Sequence, residues 1–143
     1  MLIGVDFHVL DKRMLKDLAG KRGIKYIAVD ANTQRYMGRQ RVDKVLRKYQ
    51  PDVLFIDGDH SYEGVKSDYL NFRDRVREGG VIAFHDIVEI ENIEKEESDG
   101  RFVGGVPRFF DELKNDMNSK QFVDPSGGGG YGIGMIIKNS DPG

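Results

Sequence analysis

Short apolar runs punctuate an otherwise polar chain: Leu2 to Val5, Tyr26 to Val29, Val53 to Ile56, Val81 to Phe84 and Ile133 to Ile137. Each is rich in Val, Ile or Phe, and most are continuous rather than alternating. Continuous short runs predict strands covered on both faces, as in a parallel sheet. The segments between them carry helical spacing. Val42, Val45, Leu46 and Tyr49 recur at three or four residues, as do Tyr62, Val65, Tyr69, Phe72 and Val76. Met14, Leu15 and Leu18 form a weaker set before Gly20 and Gly23, which are expected as C-cap glycines. Alternation of strand and helix predicts a doubly wound, mostly parallel α/β sheet with right-handed connections.

The last third reads differently. Val88 to Gly100 holds six acidic residues against one Lys, with little period, and is expected as a solvated, mobile loop. Pro107 suits the first residue of a helix whose stripe is Phe110, Leu113 and Met117. Phe122 and Val123 suggest a short strand. With Gly127 to Gly130 as its tip and Ile133 to Ile137 as its partner, it predicts a C-terminal antiparallel hairpin. The chain contains no internal repeat.

Length and composition narrow the classes. The 143 residues (16.2 kDa) make one domain, residues 1–143, large enough to bury its own core. Lys and Arg total 22 and Asp and Glu 24, for a net charge of −2. That balance gives no chain-wide grip on nucleic acid or an anionic membrane. Arg35, Arg39, Arg41, Lys44, Arg47 and Lys48 cluster, but a solvated helix face accounts for them equally well, and no nucleic-acid partner is expected. No run approaches the roughly 20 apolar residues of a membrane span. The first ten residues, interrupted by Asp6 and His8, do not read as a signal peptide, so a cytoplasmic location is expected. Cysteine is absent, which excludes disulfides and thiolate metal sites.

The chemistry gathers where strands end. In open α/β sheets, ligands bind beyond the carboxyl ends of the strands. The first predicted strand ends in Asp6, the second in Asp30, the third in Asp57-Gly58-Asp59-His60 and the fourth in His85-Asp86. Asp is also a common turn former and helix cap, which explains Asp6 or Asp30 singly. Asp57 and Asp86 together are harder to explain that way. Close carboxylates repel, and a divalent cation such as Mg²⁺ would remove the penalty. His60 is either a proton acceptor at this rim or a cap of the following helix. His85 is either a ligand or a core residue bonded to backbone. His8 reads as a loop residue. Gly79-Gly80 lies at the amino end of a strand and reads as a tight turn. Gly127 to Gly130 lacks the Lys and following helix of a phosphate loop.

Residues 51–86 carry a resemblance. Pro51-Asp52-Val53-Leu54-Phe55-Ile56-Asp57-Gly58-Asp59-His60-Ser61-Tyr62-Glu63-Gly64-Val65, then Asp68, then Gly79-Gly80-Val81-Ile82-Ala83-Phe84-His85-Asp86, resembles class I S-adenosylmethionine-dependent methyltransferases. The similarity is to the small-molecule O-methyltransferase group that includes macrolide-sugar methyltransferases and cephalosporin-hydroxylase-like proteins. Gly105-Val106-Pro107-Arg108-Phe109-Phe110 also fits it. The resemblance implies a Rossmann-like fold. It implies that Asp6 meets the cofactor ribose and that Asp30 and Ala31 lie beside the adenine, with Asp57 also among the cofactor contacts. It implies that Asp57 and Asp86 bind a divalent metal such as Mg²⁺, and that His60 is the general base. His85 stands where some members have a further carboxylate ligand. The implied reaction is attack of a small-molecule hydroxyl on the sulfonium methyl. The family's first strand and its Gly-rich turn have no counterpart ahead of Leu2. An open sheet edge would then invite pairing into a homo-oligomer.

Two other readings stand beside this one. A binding module or non-catalytic fragment of the fold would show weak or no cofactor affinity. A metal-dependent hydrolase would use Asp57, Asp59, His60, His85 and Asp86 on water and would leave Asp6 and Asp30 without a role.

Overall fold

The computed structural model describes residues 1–6, 12–89, 103–115, 118–125 and 131–139. His8, Met117, Gly127 to Gly130 and the acidic stretch from residue 90 onward lie outside them. The chain divides into two compact units, Met1–Tyr49 and Gln50–Gly143.

In the first unit, β1 (Leu2–Asp6), α1 (Lys12–Lys21), β2 (Tyr26–Asp30) and α2 (Tyr36–Lys48) follow one another. β1 and β2 pair in parallel, from Leu2 opposite Tyr26 to Asp6 opposite Asp30. α1 stops where Gly23 takes a positive φ of 67°, a conformation that costs glycine little. There the N–H of Gly23 donates to Gly20 and that of Ile24 to Ala19. Gly20 itself is the penultimate residue of α1, so Gly23 alone acts as the cap glycine. α2 buries Gly38, Val42 and Leu46. A Cβ on Gly38 would fall 1.9 Å from the Asn32 carbonyl oxygen, so only glycine fits this close approach. Arg41, Lys44, Arg47 and Lys48 are exposed along α2, and Arg39 is spent on the carbonyls of Thr33 and Gln34. That distribution matches a solvated helix face.

The second unit contains β3 (Val53–Ile56), α3 (Tyr62–Phe72), β4 (Val81–His85), α4 (Val106–Lys114), β5 (Ser119–Phe122) and β6 (Ile133–Ile137). Its sheet has the order β3-β4-β6-β5. β3 and β4 are parallel, whereas β6 runs antiparallel to both β4 and β5, which gives the expected C-terminal hairpin. β4 follows the prediction of a strand covered on both faces, with Ile82, Ala83 and Phe84 buried. β3 departs from it: Ile56 is buried, but Val53 and Phe55 are 57% and 50% exposed. A continuous apolar run does not by itself say that both faces are covered.

The helices follow their stripes. Ser61 caps α3 by accepting the N–H of Gly64 at 3.0 Å, one of the orphan donors of a helix start. α3 ends at Phe72 and tightens into a 3₁₀ turn, Arg73–Arg75. Val76, which matches the helical spacing, is therefore fully buried just beyond the helix. Gly79 follows at φ 70°, and Gly80 is enclosed by Val76 and the carbonyls of Arg77 and Asp52, which confirms a structural turn. α4 begins one residue earlier than expected, with Pro107 second. Phe109 and Phe110 of α4 meet Tyr69 and Phe84 at ring separations of 5.5 to 6.1 Å. Edge-on and tilted packing of this kind adds about 0.5–1.5 kcal/mol per pair beyond burial. This cluster anchors α3 and α4 on the sheet and so fixes the strand ends of β3 and β4.

Candidate active site

Asp57 follows the last residue of β3, and Asp86 follows the last residue of β4. Because β3 and β4 pair in parallel, with Ile56 opposite Phe84, both chain ends emerge on the same edge. The turn between β3 and α3 is tightly constrained. Asp59 accepts the backbone N–H of Ser61 at 2.9 Å, and Gly64 lies against the Asp59 carboxyl, where a Cβ would come within 2.4 Å. With Ser61 acting as cap, His60 is left to point elsewhere.

His60 lies between the two carboxylates. Its Nε2 is 3.2 Å from Asp57 Oδ1, and its Nδ1 is 3.6 Å from Asp86 Oδ2. His85 completes the group, with Nδ1 2.9 Å from Asp86 Oδ1 and 3.5 Å from Asp57 Oδ1. The 2.9 Å approach lacks hydrogen-bond geometry: both atoms are buried and neither has a hydrogen-bond partner. Asp86 is 7% exposed and holds a positive φ of 60°, a backbone state that costs a non-glycine residue about 1–3 kcal/mol. Such strain concentrates at functional sites.

One ligand atom from each of Asp57, His60 and Asp86 can be chosen so that all lie within 4.8 Å of one another. Two carboxylates and two imidazoles then carry a formal charge of about −2 with the imidazoles neutral. The orphaned buried oxygen of Asp86 and the orphaned nitrogen of His85 fit the coordination of a divalent cation. The donor set therefore suits a divalent cation.

The remaining expected residues lie in the first unit. Asp6 and Asp30 are register partners at the ends of β1 and β2. Asp30 is ion-paired to Lys12 of α1, a partner the spacing of the sequence did not reveal. Ala31 is buried, and its N–H donates to the Asp6 carbonyl at 2.8 Å. The sequence placed Gly105 in the resemblance but gave it no contact with the site. Gly105 donates its N–H to the His60 carbonyl at 2.7 Å, and it packs against the backbone of Tyr62. A glycine directly ahead of a Pro-started helix was the available signal. Nearby, the Tyr62 hydroxyl donates to Glu112 at 2.7 Å and accepts from Lys66, which ties α3 to α4. That bond to Tyr62 holds the Lys66 ammonium above its ordinary pKa.

Comparison with known proteins decides the family. The family model described as "Methyltransferase domain" matches residues 11–87, more than half of the chain. This chain belongs to that methyltransferase family. The matched span of the methyltransferase domain includes Asp30, Asp57, His60, His85 and Asp86. No curated protein matches the sequence significantly. Among solved structures, the mycinamycin-pathway methyltransferase MycE, in complex with Mg, SAH and mycinamycin VI, is 18% identical. It superposes with a TM-score of 0.56 over 99% of this chain and 37% of its own. An O-methyltransferase family protein from Burkholderia thailandensis gives a TM-score of 0.59 at 10% identity, covering 90% of this chain and 40% of its own. The O-methyltransferase TomG from Streptomyces achromogenes, in complex with SAM, gives 0.52 at 15% identity, covering 96% and 61%. At these identities the likeness is one of fold: the methyltransferase domain has the Rossmann-like α/β architecture of these enzymes. The chain spans 37% to 61% of the lengths of these solved chains. Among the described residues, no helix is long and apolar enough to cross a membrane.

Proposed function

We propose that the protein is an S-adenosylmethionine-dependent O-methyltransferase acting on a small-molecule hydroxyl, with a divalent cation held by Asp57 and Asp86. The observation that carries this reading is the placement of His60 between Asp57 and Asp86 in a domain of methyltransferase family and fold. When bound, S-adenosylmethionine would supply an electrophilic methyl group, and a divalent cation would supply positive charge that makes a nearby hydroxyl more acidic. His60 accepts the proton of the substrate hydroxyl. Asp57, at hydrogen-bond distance from His60 Nε2, orients the ring and favours the imidazolium that results. Asp86, almost wholly buried, supplies fixed negative charge that does not reorganise during the reaction. In the first unit Asp6, Asp30 and Ala31 are assigned to the cofactor, and in the second unit Asp57 is.

The reading places the reaction in the cytoplasm, on a small molecule rather than a nucleic acid, with residues 1–143 acting as one domain. It includes association of the chain into a homo-oligomer. The test is transfer of a labelled methyl group from S-adenosylmethionine to phenol, catechol and sugar hydroxyls, with His60→Gln as the comparison. Cation-dependent labelling that His60→Gln abolishes supports the reading. Cofactor-independent hydrolysis of an ester or phosphoester by the same residues contradicts it.

A further inference from the structure

The contact between His85 and Asp86 carries more than the reaction above requires. His85 Nδ1 and Asp86 Oδ1 lie 2.9 Å apart, yet both are buried and neither is hydrogen-bonded. A carboxylate oxygen only accepts, and an unprotonated imidazole nitrogen only accepts. In the His85 tautomer that carries its proton on Nε2, these are two buried acceptors, which repel at this separation unless a cation faces both. His85 Nδ1 is also 3.5 Å from Asp57 Oδ1. Donors bound at about 2.1 Å to one metal sit about 3.0 Å apart in an octahedral sphere and about 3.4 Å apart in a tetrahedral one. The His85–Asp86 separation matches the octahedral value, and the His85–Asp57 separation is about half an ångström longer. His60 also lies near both carboxylates, and one of its nitrogens can join Asp57 and Asp86 within 4.8 Å. The two rings differ in that His85 Nδ1 is buried without a hydrogen bond, whereas His60 Nε2 is at hydrogen-bond distance from Asp57.

We infer that His85 Nδ1 is a metal ligand beside the Asp57 and Asp86 carboxylates, and that the site selects a later first-row transition dication such as Fe²⁺, Co²⁺ or Zn²⁺ over Mg²⁺. This rests on the proposed cation site and names its metal class. Mg²⁺ is a hard cation that prefers oxygen and holds its waters, whereas imidazole suits iron, cobalt and zinc. One nitrogen among carboxylates shifts the balance toward the latter. His60 then keeps its role as proton acceptor.

The test uses the full chain with the metals alone. Mn²⁺ is bound to the wild-type protein, and electron spin echo modulation from directly ligated ¹⁴N is recorded. Co²⁺ and Mg²⁺ are titrated calorimetrically in parallel. The expected result is ¹⁴N coupling in the wild type that survives in His60→Gln and disappears in His85→Glu. The preference for Co²⁺ over Mg²⁺ falls roughly tenfold or more in His85→Glu. Absence of coupling in the wild type overturns the inference, and so does coupling that survives His85→Glu and vanishes in His60→Gln. Failure of the protein to bind any of the cations overturns it as well. The wild-type spectrum decides even where His85→Glu does not fold, and His85→Asn offers a neutral second variant. Titration of the same sample with S-adenosylmethionine separates the two readings. Cofactor binding without ¹⁴N coupling overturns the metal inference alone. Coupling without cofactor binding overturns the methyl-transfer reading alone.

Discussion

The backbone N–H of Gly105 donates to the carbonyl oxygen of His60 over 2.7 Å. The start of α4 thus holds the backbone of the residue whose ring faces both Asp57 and Asp86. The contact is close because Gly105 has no side chain: a Cβ there would meet Tyr62 N, Cα and Cβ at 2.5 to 2.6 Å. Gly105→Ala forces these backbones apart. It is expected to lower stability by about 1–3 kcal/mol, as overpacking does. Urea denaturation measures the loss. Turnover is expected to fall further than stability alone explains, because His60 moves with its carbonyl. An unchanged denaturation midpoint and unchanged turnover would show that the contact positions nothing.

Gly134 gives a second close approach. A Cβ at this position on β6 would fall 2.5 Å from the Phe110 ring, which is fully buried against Phe84. Gly134→Val is expected to cost about 1–3 kcal/mol or more by displacing that ring. Phe110→Ala removes the ring and costs about 3–5 kcal/mol. The double variant is expected to lose less than the sum, since the valine then enters the space the ring leaves. Strict additivity in urea denaturation would contradict the packing described.

Substitution of the proton acceptor separates chemistry from binding. His60→Gln is expected to lower the methyl-transfer rate by about 10²- to 10⁴-fold. Cofactor affinity should stay close to wild type, because His60 is not assigned to the cofactor. Single-turnover kinetics and a cofactor titration on the same protein check both halves.

The Asp52–Arg77 ion pair predicts a pH effect remote from this site. The Arg77 hydrogen bond, and then its charge, hold the Asp52 carboxyl below the ordinary carboxylate range. A group with a depressed folded pKa contributes stability above its unfolded value, about 3.9, and loses it as pH falls through the folded value. Both side chains are exposed, so the contribution is small. In Arg77→Met the Asp52 carboxyl is expected to titrate nearer its ordinary value by NMR. The stability difference between the two proteins should shrink at acid pH. A constant difference from pH 7 to pH 2 would contradict the assignment.

Much of this was legible in the sequence, for physical reasons. Val81 to Phe84 and Ile133 to Ile137 announce strands because β-branched and aromatic residues favour the extended chain. Tyr62, Val65, Tyr69 and Phe72 announce α3 because a helix returns to one face every three or four residues. Asp57, His60, His85 and Asp86 were legible as a group because the carboxyl ends of neighbouring parallel strands share an edge. What escaped depends on contacts distant in sequence. The spacing of residues does not contain the Lys12–Asp30 ion pair, the bond from Gly105 to His60, or the exposure of Val53 and Phe55. Nor does it contain the choice between Gly20 and Gly23 as the cap of α1, which was settled by the backbone geometry of the turn.

The central claim is that this chain is a cofactor-using methyltransferase, and calorimetric titration with S-adenosylmethionine tests it most directly. The titration is run on the full chain with and without Mg²⁺ or Mn²⁺. The account predicts saturable binding in the micromolar range that is weakened by Asp6→Ala and Asp30→Ala, with a separate cation-binding isotherm lost in Asp57→Ala. A well-folded protein that takes up the cation but shows no heat with S-adenosylmethionine would contradict it.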